Sequence, residues 1–313
     1  MHDLSALTEV HASVATRFTW DYSRRNAKLR LLYDKAKAAQ WDADRDIDWS
    51  GIPEYGAPLP EDEAASRRSS SSPVPPELWN QYRWEHHSWM TSQFLHGEQG
   101  AMLATARLVE VVPDLDAKFF AAIQVTDEAR HVDAYGRYVQ ELSHPYPINS
   151  SLHCLLSHVI SESRWDIIYL GMQIIVEGLA LAAFRISSVS SFDPVIRQIT
   201  DLVARDEARH VAYGVLSLEG FYDELTSAER ADREDFIKEA TFLMGRRFLL
   251  EDVWDRMDLD VRAGVSYVMT DPAMIHLRQL MFAKILTCLA RIKLLTPGVR
   301  AHLEDLSLIR SRG

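Results

Sequence analysis

Through most of the chain, apolar residues recur every three or four positions, the period of a helix with one buried face. No run of strict apolar–polar alternation long enough for a half-buried strand interrupts this pattern. A first helix is expected over about 7–40, with Leu29, Leu31, Leu32, Ala36 and Ala39 on a loose apolar face, ending at Trp41-Asp42-Ala43-Asp44. The stretch 42–76 loses the period; Pro53, Pro58 and Pro60 punctuate it, and Ser69 to Ser72 run together. Such clusters make loops, and this one reads as a connector, mobile around 60–75. Pro75-Pro76-Glu77 opens a helix to about Val112, and Pro113 stops it. Pro113-Asp114-Leu115-Asp116 starts the next, to about Leu142. A short helix over 150–160 follows, and then 164–188 is apolar nearly all round, as in a helix buried on every side. Asp193-Pro194 begins a helix to about Leu225, and Ser227-Ala228-Glu229-Arg230 reads as the cap and first turn of another, to about Met257. Asp271-Pro272 opens a last long helix, to about Leu295, with a short one after it.

The expectation is an all-α fold of seven to nine helices. It forms one domain over 1–313, with a central bundle at about 77–225, the connector at 42–76 before it and C-terminal helices over 227–310. Composition agrees: only 13 glycines and 12 prolines punctuate 313 residues. The net charge of −11 disfavours nucleic acid and anionic membrane as partners, and makes an acidic carrier protein a poor one. The short basic clusters Arg67-Arg68, Arg246-Arg247 and Arg310 to Arg312 read as solvated surface. Cys154 and Cys288 lie in apolar helical context and read as reduced core thiols. The start, Met1-His2-Asp3-Leu4, has no basic region followed by an apolar run. No apolar stretch approaches the roughly 20 residues that span a bilayer. The expected location is the cytoplasm.

What sets this chain apart is a repeated pentapeptide. Asp127-Glu128-Ala129-Arg130-His131 returns as Asp206-Glu207-Ala208-Arg209-His210. Glu98 stands thirty positions before Glu128, and Glu177 stands thirty before Glu207. Positions three apart share one face of a helix, so Glu128 projects with His131, and Glu207 with His210. Thirty residues allow about four turns out, a short loop and four turns back. Pro113 lies midway in the first gap and Ser191 to Pro194 midway in the second. Each hairpin therefore returns its second glutamate to the height of the first. A glutamate from each of two helices with Glu-x-x-His from each of two others is the donor set of a dinuclear site inside a bundle. Carboxylates bind and bridge hard ions, imidazole suits iron, and four carboxylates balance two divalent charges. Asp127 and Asp206 are placed to accept the second ring N–H of the histidine on the opposite helix, with Arg130 and Arg209 as their partners.

With both copies reading Asp-Glu-x-Arg-His, the pattern resembles the ferritin-like di-iron carboxylate oxygenase superfamily. It is most similar to the hydroxylase subunits of soluble methane and toluene monooxygenases and to acyl-carrier-protein desaturases. The resemblance covers about 98–210 and is weak on substrate. It implies a ferritin-like four-helix bundle with added N- and C-terminal helices. It also implies Glu98, Glu128, His131, Glu177, Glu207 and His210 as ligands of two iron ions, or of a manganese–iron pair. The chain is shorter than the multicomponent hydroxylases and has no Cys-x-x-Cys pair of the rubrerythrin kind. Tyr135, four residues after His131, either faces the site or is a core aromatic.

The expected activity is that of an O2-dependent oxidoreductase acting on a small organic substrate by N-oxygenation or hydroxylation, in a biosynthetic pathway. The alternatives are acyl desaturation and ferroxidase or iron-handling work. No flavin or nicotinamide motif appears, so electrons come from a separate reductase or ferredoxin. A homodimer is compatible with the additional helices. A substrate cavity is expected beside the ligands, lined by residues such as Phe94, Ala101, Thr105, Gln124, Gln173 and Phe184. His96 reads as structural, and His86 and His87 as surface.

Overall fold

Aspartates and prolines set the starts of the long helices. Asp114 accepts from the Ala117 amide, Asp193 from Val195 and Ile196, and Asp271 from Ala273 and Met274. Each satisfies backbone donors that have no partner inside the helix. The computed structural model describes residues 9–23, 26–59 and 68–310, and among them every regular element is helical. In order these are α1 (Ala27–Ala38), α2 (Ala43–Asp46), α3 (Trp79–Val111), α4 (Leu115–Leu142), α5 (Ser150–Ser161) and α6 (Trp165–Tyr169). A π-helical segment (Leu170–Val176) then leads without a break into α7 (Glu177–Ser190). After it come α8 (Pro194–Leu218), α9 (Ser227–Arg247), α10 (Glu251–Arg256), α11 (Val261–Thr270), α12 (Pro272–Arg291) and α13 (Pro297–Asp305).

α3 pairs with α4 and α7 with α8, and α4 meets α8, giving a four-helix core. Around its centre the interior is packed with apolar side chains: Leu108, Phe120, Ile174, Phe184, Ile199 and Val203 are all fully buried. α1 lies across α4 and α8, α5 and α9 cover α3 and the π segment, and α12 packs on α7.

Several boundaries differ from expectation. The first helix is shorter, since 9–23 is not helical. That stretch carries Val10, Val14, Thr16, Phe18, Thr19 and Trp20, residues whose χ1 freedom a helix restricts. It runs as a strap instead, with the Arg17 amide donating to Glu110 O at 2.8 Å and the Thr19 hydroxyl to Pro113 O at 2.9 Å. The cap of α9 is Thr226, in a reciprocal box with Glu229, rather than Ser227. The helix expected to reach Met257 stops at Arg247, because Leu250 turns left-handed at φ 57°. The expected connector holds two short helical turns, at Ala43–Asp46 and Trp49–Gly51. Of the stretch expected to be mobile, 60–67 lies outside the described residues, and beyond it the Ser69 hydroxyl donates to Asp271 at 2.9 Å.

Among the described residues two helical stretches are long and apolar enough to cross a bilayer, which the sequence expectation missed. Trp165–Ser190 is 83% buried over its apolar window, so it reads as a core helix, and Pro272–Arg291 is 33% buried.

His87 is not on the surface. It is buried, its Nε2 lies 2.6 Å from the Tyr138 hydroxyl, and that hydroxyl donates to Asp193. His86 is half-buried beside it. Burial, with His86 nearby, pushes the His87 imidazole down to about 3. The folded state therefore holds it neutral, while the unfolded chain protonates it near pH 6.5. Below that pH unfolding takes up a proton, so stability falls as pH drops from about 6.5 towards 3. His87→Gln is expected to flatten this slope, removing roughly 3 kcal/mol of the acid-induced loss near pH 4.5. Urea unfolding across pH measures it, and an unchanged slope rejects the assignment.

Candidate metal centre

All six doubled-motif residues meet in the bundle interior. α3 contributes Glu98, α4 Glu128 and His131, α7 Glu177, and α8 Glu207 and His210. None is more than 4% exposed. Donor atoms of Glu98, Glu128, His131 and Glu207 lie within 4.8 Å of one another, as do those of Glu128, Glu177 and His210. Glu128 belongs to both groups. Its Oε2 is 3.2 Å from His131 Nδ1 and its Oε1 is 3.2 Å from His210 Nδ1. His131 Nδ1 is also 2.9 Å from Glu98 Oε2, and His210 Nδ1 is 3.2 Å from Glu207 Oε1.

Both histidines thus turn Nδ1 inward, and their other nitrogens point at aspartates. His131 Nε2 is 3.1 Å from Asp206 Oδ2, and His210 Nε2 is 3.2 Å from Asp127 Oδ2. The pairing is crossed, α4 to α8 and α8 to α4, and it sets both ring orientations. Arg130 Nη2 reaches Asp127 at 2.7 Å and Asp206 at 3.2 Å, and Arg209 pairs with Asp206.

Sequence reasoning missed the contribution of the segment just after α1. The Gln40 amide donates to Asp127 Oδ1 at 2.9 Å, and the Trp41 indole N–H to Asp206 Oδ2 at 2.7 Å. Arg130 also bonds Gln40. No local signal marks these partners, because they stand 87 and 165 positions from the aspartates they touch.

The π segment was also unforeseen. Its extra residue per turn resets the helix face immediately before Glu177. Gly214 on α8 makes room for it: a Cβ there would lie 2.5 Å from that of Gln173. The Gln173 amide donates at 3.4 Å to both the Thr105 hydroxyl and Glu177 Oε1. Gln124 donates to Glu177 Oε1 at 2.8 Å and to Glu128 Oε1 at 3.0 Å.

The carboxylates and imidazoles of the cluster shift one another. Burial, with the charge of Glu207, raises Glu98 and Glu177 well above the carboxylate range. Burial opposes charge on His131 and His210 too, but the surrounding carboxylates hold both imidazoles well above their ordinary value. Among the described residues, Glu177 Oε2 and Glu207 Oε2 are buried without a hydrogen-bond partner, as are Gln124 Oε1, Gln173 Oε1 and the Tyr135 hydroxyl. Buried polar atoms are seldom left unpaired. Four carboxylates and two imidazoles with vacant lone pairs fit two hard cations.

The side expected to open into a substrate cavity is filled by rings. Phe94, Tyr135 and Phe184 are buried with centroids 4.7 to 6.0 Å apart. A cleft of about 630 Å³ lies instead where the connector, at Trp49 and Tyr55, meets the end of α4 at Arg137 and Leu142. It includes none of the residues expected to line the cavity.

Comparison with solved structures finds the same architecture. Over 87% of its length the chain matches 94% of a glycine-to-leucine variant of an R2-like ligand-binding oxidase with an anaerobically reconstituted Mn/Fe cofactor, at TM-score 0.53 and 18% identity. A valine-to-leucine variant with the same type of cofactor matches over 87% of this chain and 95% of its own, at TM-score 0.53 and 19% identity. The glycine-to-leucine variant with a non-activated Mn/Mn cofactor matches over 86% and 94%, at TM-score 0.54 and 17% identity. The fold is ferritin-like. No family model matches the chain, and no curated protein matches it. Identity this low speaks to the fold, and the chemistry is read from the site.

Proposed function

We propose that this chain is a dimetal oxidase that activates dioxygen and oxidises a small organic molecule. The observation that carries it is the convergence of two Glu-x-x-His pairs and two further glutamates in one buried cluster with unpartnered carboxylate oxygens. Glu98, Glu128, His131, Glu177, Glu207 and His210 would hold two ions. These would be two irons, or manganese and iron as in the R2-like neighbours. When bound, such ions would supply the electrons that reduce dioxygen, and a separate reductase or ferredoxin would restore them.

The protein's part is positional. Asp206 and Asp127 fix the rings of His131 and His210 so that Nδ1 faces the centre. The Gln124 amide orients Glu177 and Glu128. The aromatic wall and closed core exclude water, which protects a reactive oxidant from side reactions. A net charge of −11 disfavours an acidic carrier, which favours a free small substrate and N-oxygenation or hydroxylation over acyl desaturation.

The test loads the protein anaerobically with Fe(II), or with Mn(II) and Fe(II), and follows metal content and oxygen uptake. The expected result is two ions per chain and oxygen consumption on reduction. A chain that keeps no ion after desalting, or whose loaded reduced form is inert to oxygen, rejects the reading. Labelled dioxygen with candidate amines and hydrocarbons then distinguishes oxygen insertion from desaturation.

A further inference from the structure

Between the metal cluster and the cleft at the connector lies a polar group that the proposed function does not use. Tyr138, on α4 about one turn beyond Tyr135 and two turns beyond His131, is fully buried. Its hydroxyl donates to Asp193 Oδ2, and His87 Nε2 lies 2.6 Å from the same hydroxyl oxygen. With the phenol proton on the aspartate side, the neutral imidazole donates the second bond. Asp193 Oδ1 accepts from the Val195 and Ile196 amides, which leaves Oδ2 to face the phenol. Burial pushes this carboxyl up, which makes it a better proton acceptor.

Among the described residues, the other buried tyrosines around the cluster have no such partner. The Tyr135 hydroxyl is unpaired, Tyr169 donates to Tyr213, and Tyr213 donates to the Ala117 carbonyl. The difference matters for oxidation. Loss of an electron alone would leave a charged ring in an apolar interior, which is costly. A tyrosine there can give up an electron only if its proton leaves too, and Tyr138 has the base in place. Its Cα is about 10 Å along the helix from that of His131. From Tyr138 the rings continue outward. The His87 centroid lies 5.9 Å from that of Tyr138 and 6.0 Å from that of Trp84, and Trp84 lies 5.4 Å from Tyr55. The Tyr55 hydroxyl donates at 2.8 Å to Glu85, a second buried carboxylate, and Tyr55 lines the cleft of about 630 Å³.

We propose, on the reading of the chain as a dimetal oxidase, that Tyr138, Trp84 and Tyr55 carry an oxidising equivalent from the metal centre to this cleft when no substrate takes it. Tyr138 gives one electron to the oxidised centre and its proton to Asp193 Oδ2, and becomes a neutral radical. Trp84 then supplies the electron that refills it, and the proton returns from Asp193. The hole crosses Trp84 without resting, because the indole N–H is held by the Ala57 carbonyl and has no base. Tyr55 refills Trp84 and passes its proton to Glu85. At the cleft a small reductant such as ascorbate, itself oxidised by one electron, restores Tyr55, and the proton returns from Glu85.

For the test, the full chain is loaded anaerobically with Fe(II) and exposed to oxygen without substrate. Oxygen uptake is followed alongside electron paramagnetic resonance of frozen samples. The expected signal is a neutral tyrosyl radical, lost in Tyr138→Phe and kept in Tyr135→Phe. Ascorbate should discharge it severalfold more slowly in Tyr55→Phe than in the unaltered chain. Tyr55→Phe removes one hydroxyl from a half-buried residue and leaves Glu85 with Tyr146 and His144, so it should fold, and it carries the test if Tyr138→Phe does not. Oxygen uptake with no tyrosyl signal overturns the route. So does a signal that survives in Tyr138→Phe or disappears in Tyr135→Phe, and so does equal decay with ascorbate in Tyr55→Phe. A loaded chain that takes up no oxygen at all rejects the oxidase reading, and the route with it.

Discussion

Replacing Glu128 with alanine is expected to empty both metal positions at once. Glu128 is the residue common to both donor groups, and its two oxygens face the two inward histidine nitrogens at 3.2 Å each. Removing it leaves one group with Glu98, His131 and Glu207, and the other with only Glu177 and His210. Glu98 belongs to a single group, so Glu98→Ala should disturb one ion far more than the other. Metal content after loading and desalting should fall from two ions per chain to well below one in Glu128→Ala, and oxygen uptake should vanish with it. The metal-free protein should also lose stability. Burial opposes the Glu128 charge, yet the histidines beside it hold this carboxyl well below its ordinary range, so both imidazoliums lose a partner. Breaking a buried pair from one side costs about 3–5 kcal/mol. Two ions retained in Glu128→Ala would remove the shared role of this residue.

The donor cluster was legible because its information is periodic. Glu-x-x-His places two donors on one helix face wherever it occurs, and the thirty-residue gaps with breaks near Pro113 and Pro194 describe hairpins that bring two faces together. The caps at Asp114, Asp193 and Asp271 were legible for a similar reason, since each acts within three residues. What failed to show depends on contacts distant in sequence or on backbone states that residue type does not announce. Nothing local ties Trp41 to Asp206. Nothing in Leu170 to Val176 distinguishes a π turn from an α turn, because both bury the same apolar side chains. Leu250 adopts a left-handed backbone that glycine normally marks, so the end of α9 was missed and α10 was read as its continuation to about Met257. Nothing local in the sequence shows that the rings of Phe94, Tyr135 and Phe184 pack together beside the donors, with centroids 4.7 to 6.0 Å apart.

Asp206→Asn is expected to be nearly as damaging to metal binding as loss of a donor, although Asp206 belongs to neither donor group. Four groups converge on its carboxylate. The Trp41 indole donates at 2.7 Å, His131 Nε2 lies at 3.1 Å and Arg130 Nη2 at 3.2 Å, and Arg209 takes the other oxygen. Burial alone would raise this carboxyl, but His131, His210 and Arg209 hold it well below its ordinary range, so it carries full charge in the fold. An asparagine keeps the shape and loses the charge. Arg209 then loses its carboxylate partner, Arg130 keeps only Asp127, and the amide's NH2 half can only donate where a donor already points. The His131 ring loses the acceptor that keeps Nδ1 turned inward. Losses of this kind cost roughly 10–100-fold in metal affinity, and breaking a buried charge network from one side costs about 3–5 kcal/mol. Trp41→Phe is the calibrating variant: it removes one donor from a carboxylate that keeps three, at a cost of about 1.5–3 kcal/mol at most. Competition with a chelator reads the affinity, and urea unfolding of the metal-free forms reads the stability. Asp206→Asn should fall well below Trp41→Phe in both. Equal behaviour of the two variants would mean that the aspartate serves only to anchor the segment after α1, with no hold on His131.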